Sequence, residues 1–298
     1  MSVSIGLSVW SGLGEATVPY LDAVAAPYDS LWFPDHLQTN DVGVMEGWTM
    51  LAYCLARFPD KVCGHQVLCN EFRPPSVLAK MAASAQVMSG GRVVLGVGAG
   101  WHREEAVAYG LDFPATPDRV ARMAESITLI RRLWTGEPVT FDGEHYRLDQ
   151  AECLPAPDVA PPIMIGGSGE KYLLAAVAAH ADRWNYIFRD VAEFTHKLEV
   201  LQGHCDRIGR DRGEIEPVLG TQVLVAESAA ELARLEADDT VRAVARNGIA
   251  GTVEQITDVL ARGIEAGATG VIVGFADSPR TDGANLFARE VLPSLRSL

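Results

Sequence analysis

Arg-Val-Val-Leu-Gly-Val-Gly-Ala-Gly-Trp, residues 92–101, is the stretch that decides the fold class. Its first half is apolar without alternation, as in a strand buried on both faces, and a glycine-rich turn and an acidic helix start at residues 102–105 follow directly. Two interpretations are open: a tight strand-to-helix turn in an α/β protein, or a place where the main chain approaches a ligand. A second apolar run followed by a glycine-rich turn, at residues 163–171, favours the ligand interpretation.

The rest of the chain alternates β-rich runs with helical patterns. Eight predicted strands lie at residues 3–9, 28–33, 61–70, 92–98, 163–165, 182–187, 216–225 and 270–274. Predicted helices lie at residues 20–26, 48–55, 74–88, 116–136, from Ser168 or Gly169 onward, 193–208, 229–247, 252–264 and 286–295. Eight such units over this length predict a (β/α)8 TIM barrel, with a doubly wound sheet as the alternative.

We expect one domain over residues 1–298 with two excursions from the barrel. The first is an insertion at about residues 136–160, where Asp142-Gly143 between β-favouring residues predicts a hairpin. The second is an extra helical segment at about residues 226–250.

Charge and composition restrict the partners. The formal charge is −14 and the pI is near 4.9, which argue against nucleic acid and anionic membrane as partners. No run approaches the ~20 apolar residues of a membrane span, and the first residues lack the basic start of a signal peptide, so we expect a cytoplasmic protein.

Cysteine and histidine spacings predict neither a disulfide framework nor a metal site. Five cysteines are scattered without a Cys-x-x-Cys pair. Five of the histidines, His65, His145, His180, His196 and His204, show no metal-ligand spacing.

Polar and glycine clusters follow four of the predicted strands. Ligand groups of a TIM barrel sit at the carboxyl ends of its strands, so these clusters are candidates for a binding site. They are Asp35-His36, Cys69-Asn70, Gly98-Ala99-Gly100 and Gly166-Gly167-Ser168-Gly169.

Five motifs resemble the bacterial-luciferase-like superfamily, and their order resembles its branch that uses the deazaflavin coenzyme F420. The resemblance covers nearly the whole chain. The motifs are Trp32-Phe33-Pro34-Asp35-His36, Asn70-Glu71-Phe72-Arg73-Pro74-Pro75, residues 90–101, Tyr109-Gly110-Leu111-Asp112-Phe113 and residues 161–169.

The resemblance implies a cofactor ring at the barrel mouth, leaning on a non-proline cis peptide in the third strand. By position this bond joins Gln66 and Val67. It further implies that Asp35 and His36 face the ring and substrate, and that Cys69 and Asn70 lie beside the ring. In the same way, Gly98, Ala99, Gly100 and Trp101 would pass along the cofactor, while Gly166, Gly167, Ser168 and Gly169 would hold its phosphate at a helix N-terminus.

Hydride transfer by a deazaflavin needs a group that handles the accompanying proton. Histidine is the side chain that ordinarily exchanges a proton near neutral pH, so His36 is our candidate, with Asp35 orienting it or bonding the ring. His102 and either Glu104 or Glu105 are second candidates, although acids in the first turn of a helix often serve only the helix dipole.

One departure from the resemblance bears on the substrate. Family members that oxidise sugar phosphates carry an acid where Trp101 stands and a tryptophan where this chain has Asn40. This weakens a sugar-phosphate dehydrogenase interpretation, and the bulky Trp101 suggests a more apolar substrate or a differently shaped mouth.

We therefore expect an F420-dependent oxidoreductase that acts on a small organic molecule. The alternative is a flavin mononucleotide (FMN)-dependent monooxygenase supplied by a separate reductase. A phosphate-binding isomerase or aldolase would need a strand-end lysine or paired acids, and the predicted strand ends carry no lysine. A non-catalytic barrel subunit would bind no cofactor tightly. From the resemblance we also expect a homodimer.

Overall fold

Parallel strands dominate the computed structural model, which describes residues 3–9, 13–39 and 43–298. Within these residues the strands are, in chain order, β1 (Ser4–Ser8), β2 (Ser30–Phe33), β3 (Val62–His65), β4 (Leu68–Cys69), β5 (Val93–Gly98), β6 (Val139–Asp142), β7 (Arg147–Ala151), β8 (Ile163–Gly166), β9 (Arg183–Ile187), β10 (Glu216–Ala226), β11 (Ile249–Thr252) and β12 (Gly270–Phe275).

Eight of these strands close into a parallel barrel, as the sequence predicted. Their order around the barrel is β1, β2, β3, β5, β8, β9, β10 and β12, and β12 pairs again with β1. All six residues of β5 are buried, which agrees with its unbroken apolar run. The fold is therefore the expected (β/α)8 barrel, and the carboxyl ends of its strands meet at one mouth.

Helices surround this barrel. They are α1 (Thr17–Val24), α2 (Gly47–Arg57), α3 (Pro75–Ser89), α4 (Arg103–Ala108), α5 (Thr116–Leu133), α6 (Leu173–His180), α7 (Val191–Ile208), α8 (Ala229–Glu236), α9 (Asp239–Ala245), α10 (Val253–Glu265), α11 (Asp282–Leu286) and α12 (Leu292–Arg296). A π-helical turn, Phe287–Val291, joins the last two. In the described ranges, none of the helices has the length and apolar character needed to cross a membrane.

The barrel interior contains a cluster of side chains from five of its eight strands. Trp32, Val94, Met164, Val218 and Ile272 form this cluster. The Trp32 ring occupies space that Gly6 and Gly64 on the neighbouring strands leave open, because a Cβ added at either glycine would lie within 2.5 Å of the ring. The barrel is thus a packed core below the mouth.

Both predicted excursions are present, with different detail. β6 and β7 form the antiparallel hairpin. The helical segment is two helices, α8 and α9, followed by the unpredicted strand β11, which pairs with the last four residues of β10. The prediction missed β11 because Ile-Ala-Gly-Thr is too short to show a strand period. The prediction for α10 is confirmed: Thr252 and Gln255 form a capping box.

The predicted start of the helix after β8 is wrong. Residues 170–172 form turns, and α6 begins only at Leu173. Gly167 has a φ of +127°, and the Glu170 carboxylate bonds Lys197 of α7 at 2.7 Å. These two features keep residues 167–172 as a loop across the end of β8.

Candidate active site

His36 lies beyond the carboxyl end of β2, where a carboxylate from α4 contacts its ring. Nδ1 of His36 is 2.9 Å from Oε2 of Glu105. The other oxygen of Glu105 accepts the main-chain N–H groups of Leu37 and Gln38. Burial acts to raise the pKa of Glu105, but the hydrogen bonds from His36 and the two amides outweigh it and hold this pKa below its ordinary value. An anionic Glu105 fixes the imidazole proton on Nδ1 and leaves Nε2 as an acceptor.

A second imidazole and an indole complete what we call the mouth cluster: His36, Trp101, His102 and Glu105. His102 Nδ1 is 3.2 Å from the same Oε2 of Glu105. Trp101 stacks on His102 with 4.9 Å between ring centroids and meets His36 edge-on at 5.7 Å. The Trp101 side chain is 74% exposed, so it presents an apolar ring at the mouth.

The Asp35 carboxylate bonds Arg73 and Cys69 and makes no hydrogen bond to His36 in the described structure; the sequence had predicted that it orients His36 or bonds the ring. Its carboxylate accepts both guanidinium N–H groups of Arg73 at 2.8 Å and the main-chain N–H of Cys69 at 2.9 Å. Arg73 also bonds Glu46, whose carboxylate caps α2. Asp35 is buried and fully engaged in this ion-pair network, so it ties β2 to β4 and to α2.

The third strand of the barrel consists of two pieces, β3 and β4, which residues 66 and 67 separate. The peptide bond between Gln66 and Val67 is cis, at the position that the resemblance implied. The Val67 side chain packs against Gly98 and Gly166, where an added Cβ would lie 2.7 and 2.8 Å from its methyl groups. These two glycines therefore make room for Val67 and form with it an apolar floor at the mouth.

The Gln66 side chain extends through the barrel interior to β9 and β10. Its amide nitrogen donates to Oδ1 of Asn185 on β9 at 3.4 Å, and both side chains occupy space that Gly220 of β10 leaves open. Two residues further along β10, the amide of Gln222 is buried, and neither its nitrogen nor its oxygen has a partner among the described residues. Side chains alternate along a strand, so Gln222 points to the same side as Gly220. The sequence analysis missed Gln222.

The turn after β5 is held from outside the barrel. Gly100 has a φ of +76°, and an added Cβ would lie 2.6 Å from Sγ of Cys69. The carbonyl of Ala99 accepts Nε of the buried Arg119 at 3.0 Å, so it is turned away from the mouth. Burial raises the pKa of the Cys69 thiol to about 12, which keeps it neutral. Cys69 is therefore a packing neighbour of this turn.

Asn70 connects the mouth to the inserted hairpin. Its amide nitrogen donates to the hydroxyl of Tyr146 at 3.2 Å. The hairpin tip is bound by one carboxylate, because Glu125 of α5 accepts the main-chain N–H groups of Glu144, His145 and Tyr146. The sequence predicted the hairpin, and its contact with Asn70 depends on tertiary packing.

The loop after β8 carries unpaired donors. Gly167 donates its N–H to Asn185, and its carbonyl accepts Nε1 of Trp184. Neither Ser168 nor Gly169 donates its N–H to another residue in the described part of the chain. These two N–H groups and the Ser168 hydroxyl are available to an anion, although α6 does not start here.

His65, the last residue of β3, is fully buried beneath the mouth. Its ring stacks on Trp48 at 5.3 Å, and neither ring nitrogen has a hydrogen-bond partner among the residues described. Burial lowers its pKa to about 4, so the ring is neutral near pH 7. Asn40, which the sequence analysis singled out, lies outside the described residues.

The chain is similar in sequence to luciferase-like and F420-dependent proteins. A family model described as luciferase-like monooxygenase matches residues 23–273. The F420-dependent glucose-6-phosphate dehydrogenase of Microbacterium testaceum (strain StLB037) is 34% identical over 201 residues, or 66% of this chain. The F420-dependent hydroxymycolic acid dehydrogenase of Mycobacterium tuberculosis is 28% identical over 300 residues, covering 92% of this chain and 82% of that protein. The chain spans 60% of the length of the first relative.

Solved structures share the fold. An F420-dependent secondary alcohol dehydrogenase in complex with an F420-acetone adduct superimposes with a TM-score of 0.86 at 19% identity. The superposition covers 99% of this chain and 100% of that one. At this identity the likeness establishes the barrel architecture alone.

Proposed function

The chain belongs to the luciferase-like monooxygenase family, and from this premise we propose that it is an oxidoreductase that transfers a hydride between coenzyme F420 and a small organic molecule. The observation that carries the proposal is the His36 imidazole at the barrel mouth, bound through Nδ1 to buried Glu105. Two relatives whose names state F420 dependence support the choice of cofactor.

The residues at the mouth fit a planar deazaflavin. Val67, Gly98 and Gly166 form a flat apolar floor without projecting side chains from the glycines. The Ser168 and Gly169 N–H groups offer donors to a phosphate. When bound, F420 would supply a carbon centre that gives or accepts hydride.

Proton transfer is the part of the reaction that we assign to the chain itself. His36 Nε2 makes no hydrogen bond to a described residue, so it is able to accept the proton of a substrate hydroxyl or return it to a carbonyl oxygen. The anionic Glu105 stabilises the imidazolium that forms. Asp35 contributes by fixing the main chain of the loop that carries His36, through its bonds to Arg73 and Cys69.

The cofactor is tested by titrating the protein with F420 and, separately, with FMN while following the fluorescence of each. We expect saturable binding of F420. Binding of FMN alone would instead support a monooxygenase supplied by a reductase, and binding of neither would support a non-catalytic barrel.

A matched pair of variants tests the role of His36. The His36→Asn variant should bind F420 with unchanged affinity. Its turnover of an alcohol or ketone should be about 10²- to 10⁴-fold slower than that of the wild type, which is the range of general acid–base catalysis. His145→Asn, a substitution on the hairpin, should retain wild-type turnover. Equal turnover of the wild type and His36→Asn would contradict the proposed proton transfer.

We propose that the substrate is an alcohol or ketone with apolar substituents. Trp101 supports this, since its exposed indole borders His36 and offers stacking area rather than charge. A panel of secondary alcohols and glucose 6-phosphate, followed by F420 absorbance, tests the choice. A higher kcat/KM for glucose 6-phosphate than for every alcohol would contradict it.

We further propose a homodimer in the cytoplasm. A groove of about 410 Å³ between α2 and α3 is largely apolar, and Met88 beside it is 87% exposed. Burying this surface against a second copy would remove apolar area from water. Met88→Asp should shift the mass measured by light scattering from dimer to monomer, whereas Ile208→Asp at the end of α7 should not.

The five buried free cysteines are compatible with a reducing compartment.

A further inference from the structure

Three potential metal ligands converge at the mouth, although their spacing in sequence gave no indication of a site. They are one ring nitrogen each of His36 and His102 and one carboxylate oxygen of Glu105, and these three atoms lie within 4.8 Å of one another. The two imidazole nitrogens are 2.9 and 3.2 Å from the carboxylate oxygen. His36 comes from the loop after β2 and the other two from the start of α4, so only the closed barrel brings them together.

These separations match those of ligands around one small cation. Zinc binds histidine nitrogen and carboxylate oxygen at about 2.0–2.2 Å, and at tetrahedral to right angles such ligands are about 2.9–3.4 Å apart. Both measured nitrogen-to-oxygen distances fall in this range. In a tetrahedral site the two imidazole nitrogens would lie about 3.4 Å apart, so binding would draw them together from within the 4.8 Å limit that the structure sets.

The surroundings would hold the ligands in place. The second oxygen of Glu105 is fixed by the main-chain N–H groups of Leu37 and Gln38, which orients the carboxylate. The Glu105 side chain is 1% exposed, whereas those of His36 and His102 are 15% and 20% exposed. A cation therefore has a route from solvent, and a fourth position is left for water.

We propose that His36, His102 and Glu105 form a binding site for a divalent first-row transition metal, of which Zn²⁺ is the representative. Two imidazoles and one carboxylate suit such metals, while Mg²⁺ and Ca²⁺ prefer oxygen ligands. Binding requires the lone pair of each Nδ1, so each ring moves its proton from Nδ1 to Nε2 and no proton is released.

The tautomer change has a consequence for catalysis, and this consequence rests on the proposed function. With its proton on Nε2, His36 is a donor at the atom that would accept the substrate proton. Bound metal should therefore inhibit turnover without displacing F420. The binding itself does not depend on the proposed reaction.

Calorimetric titration of the full chain with Zn²⁺, in the absence of F420, tests the site. We expect about one equivalent in the wild type and at least about tenfold weaker binding in His102→Ala and in Glu105→Gln. His196→Ala is the matched control, because His196 is an exposed histidine that also contacts a carboxylate, that of Glu170. It should bind as the wild type does, and Mg²⁺ should not bind.

Co²⁺ provides a second readout that locates the metal. Trp101 lies against both imidazoles, so paramagnetic Co²⁺ should quench its fluorescence, and Trp101→Phe should lose this quenching while calorimetric binding persists. Wild-type protein that takes up no Zn²⁺ would overturn the proposal. So would binding that survives both His102→Ala and Glu105→Gln, or that is lost in His196→Ala. Circular dichroism confirms that each variant is folded. Failure of F420 binding, by contrast, would overturn the proposed function and leave the metal site intact.

Discussion

The buried His65 makes the stability of this protein depend on pH in a defined window. Its pKa is about 4 in the folded chain because burial disfavours the charged ring, against an ordinary value of 6.5. The unfolded chain therefore binds the proton more readily, and the stabilisation present above pH 6.5 is lost as pH falls toward 4.

The size of this effect follows from the two pKa values. Between pH 7.5 and pH 5, proton linkage removes about 2 kcal/mol of unfolding free energy through His65. An unfolding entropy of about 2.1 cal/mol/K per residue over 298 residues corresponds to about 0.6 kcal/mol per degree. His65 should thus lower the Tm by about 3 °C between these pH values.

Scanning calorimetry at pH 7.5 and pH 5 on the wild type and on His65→Leu measures this contribution as a difference. Glu46, whose pKa is lowered to about 2, loses its stabilisation only below about pH 4.5, outside this window. The exposed variant His196→Gln should show the pH dependence of the wild type. Equal pH dependence of Tm in the wild type and His65→Leu would refute the argument that burial controls this ring.

Three further predictions concern the mouth. Glu105→Gln should lower kcat by about 10²-fold with unchanged F420 affinity, because the His36 tautomer is no longer fixed; an unchanged kcat would contradict this role. Asp35→Asn should lower the unfolding free energy by about 3 kcal/mol, near 5 °C in Tm, because it removes the buried carboxylate that pairs with the half-buried Arg73; an unchanged Tm would show that the ion pair is dispensable. Gly100→Ala should lower Tm and weaken F420 binding in a fluorescence titration, since its φ is +76° and no space is left for a Cβ; wild-type values of both would exclude the packing argument.

The barrel strands were predictable because parallel strands buried on both sides have continuous apolar runs, as in β5. The four clusters at the strand ends also followed from the fold class, since a barrel brings the carboxyl ends of its strands together. The resemblance added the cis bond between Gln66 and Val67, which no local pattern reveals.

The partners of the candidate residues could not be predicted. Glu105 looked like an acid that suits a helix dipole, and only the packing of α4 against the loop after β2 places it 2.9 Å from His36. Asp35 looked available for catalysis, because its partner Arg73 is 38 residues away in sequence. Pairs of this kind depend on tertiary structure, so single-residue patterns do not contain them.

The way Glu125 binds the hairpin tip determines which residues of the hairpin can be substituted. All three donors are main-chain N–H groups, which every residue except proline provides. These three bonds do not depend on the side chains of residues 144–146, although the Tyr146 hydroxyl adds a bond from Asn70. The tip can therefore keep its seat on α5 when the side chains at positions 144 and 145 change.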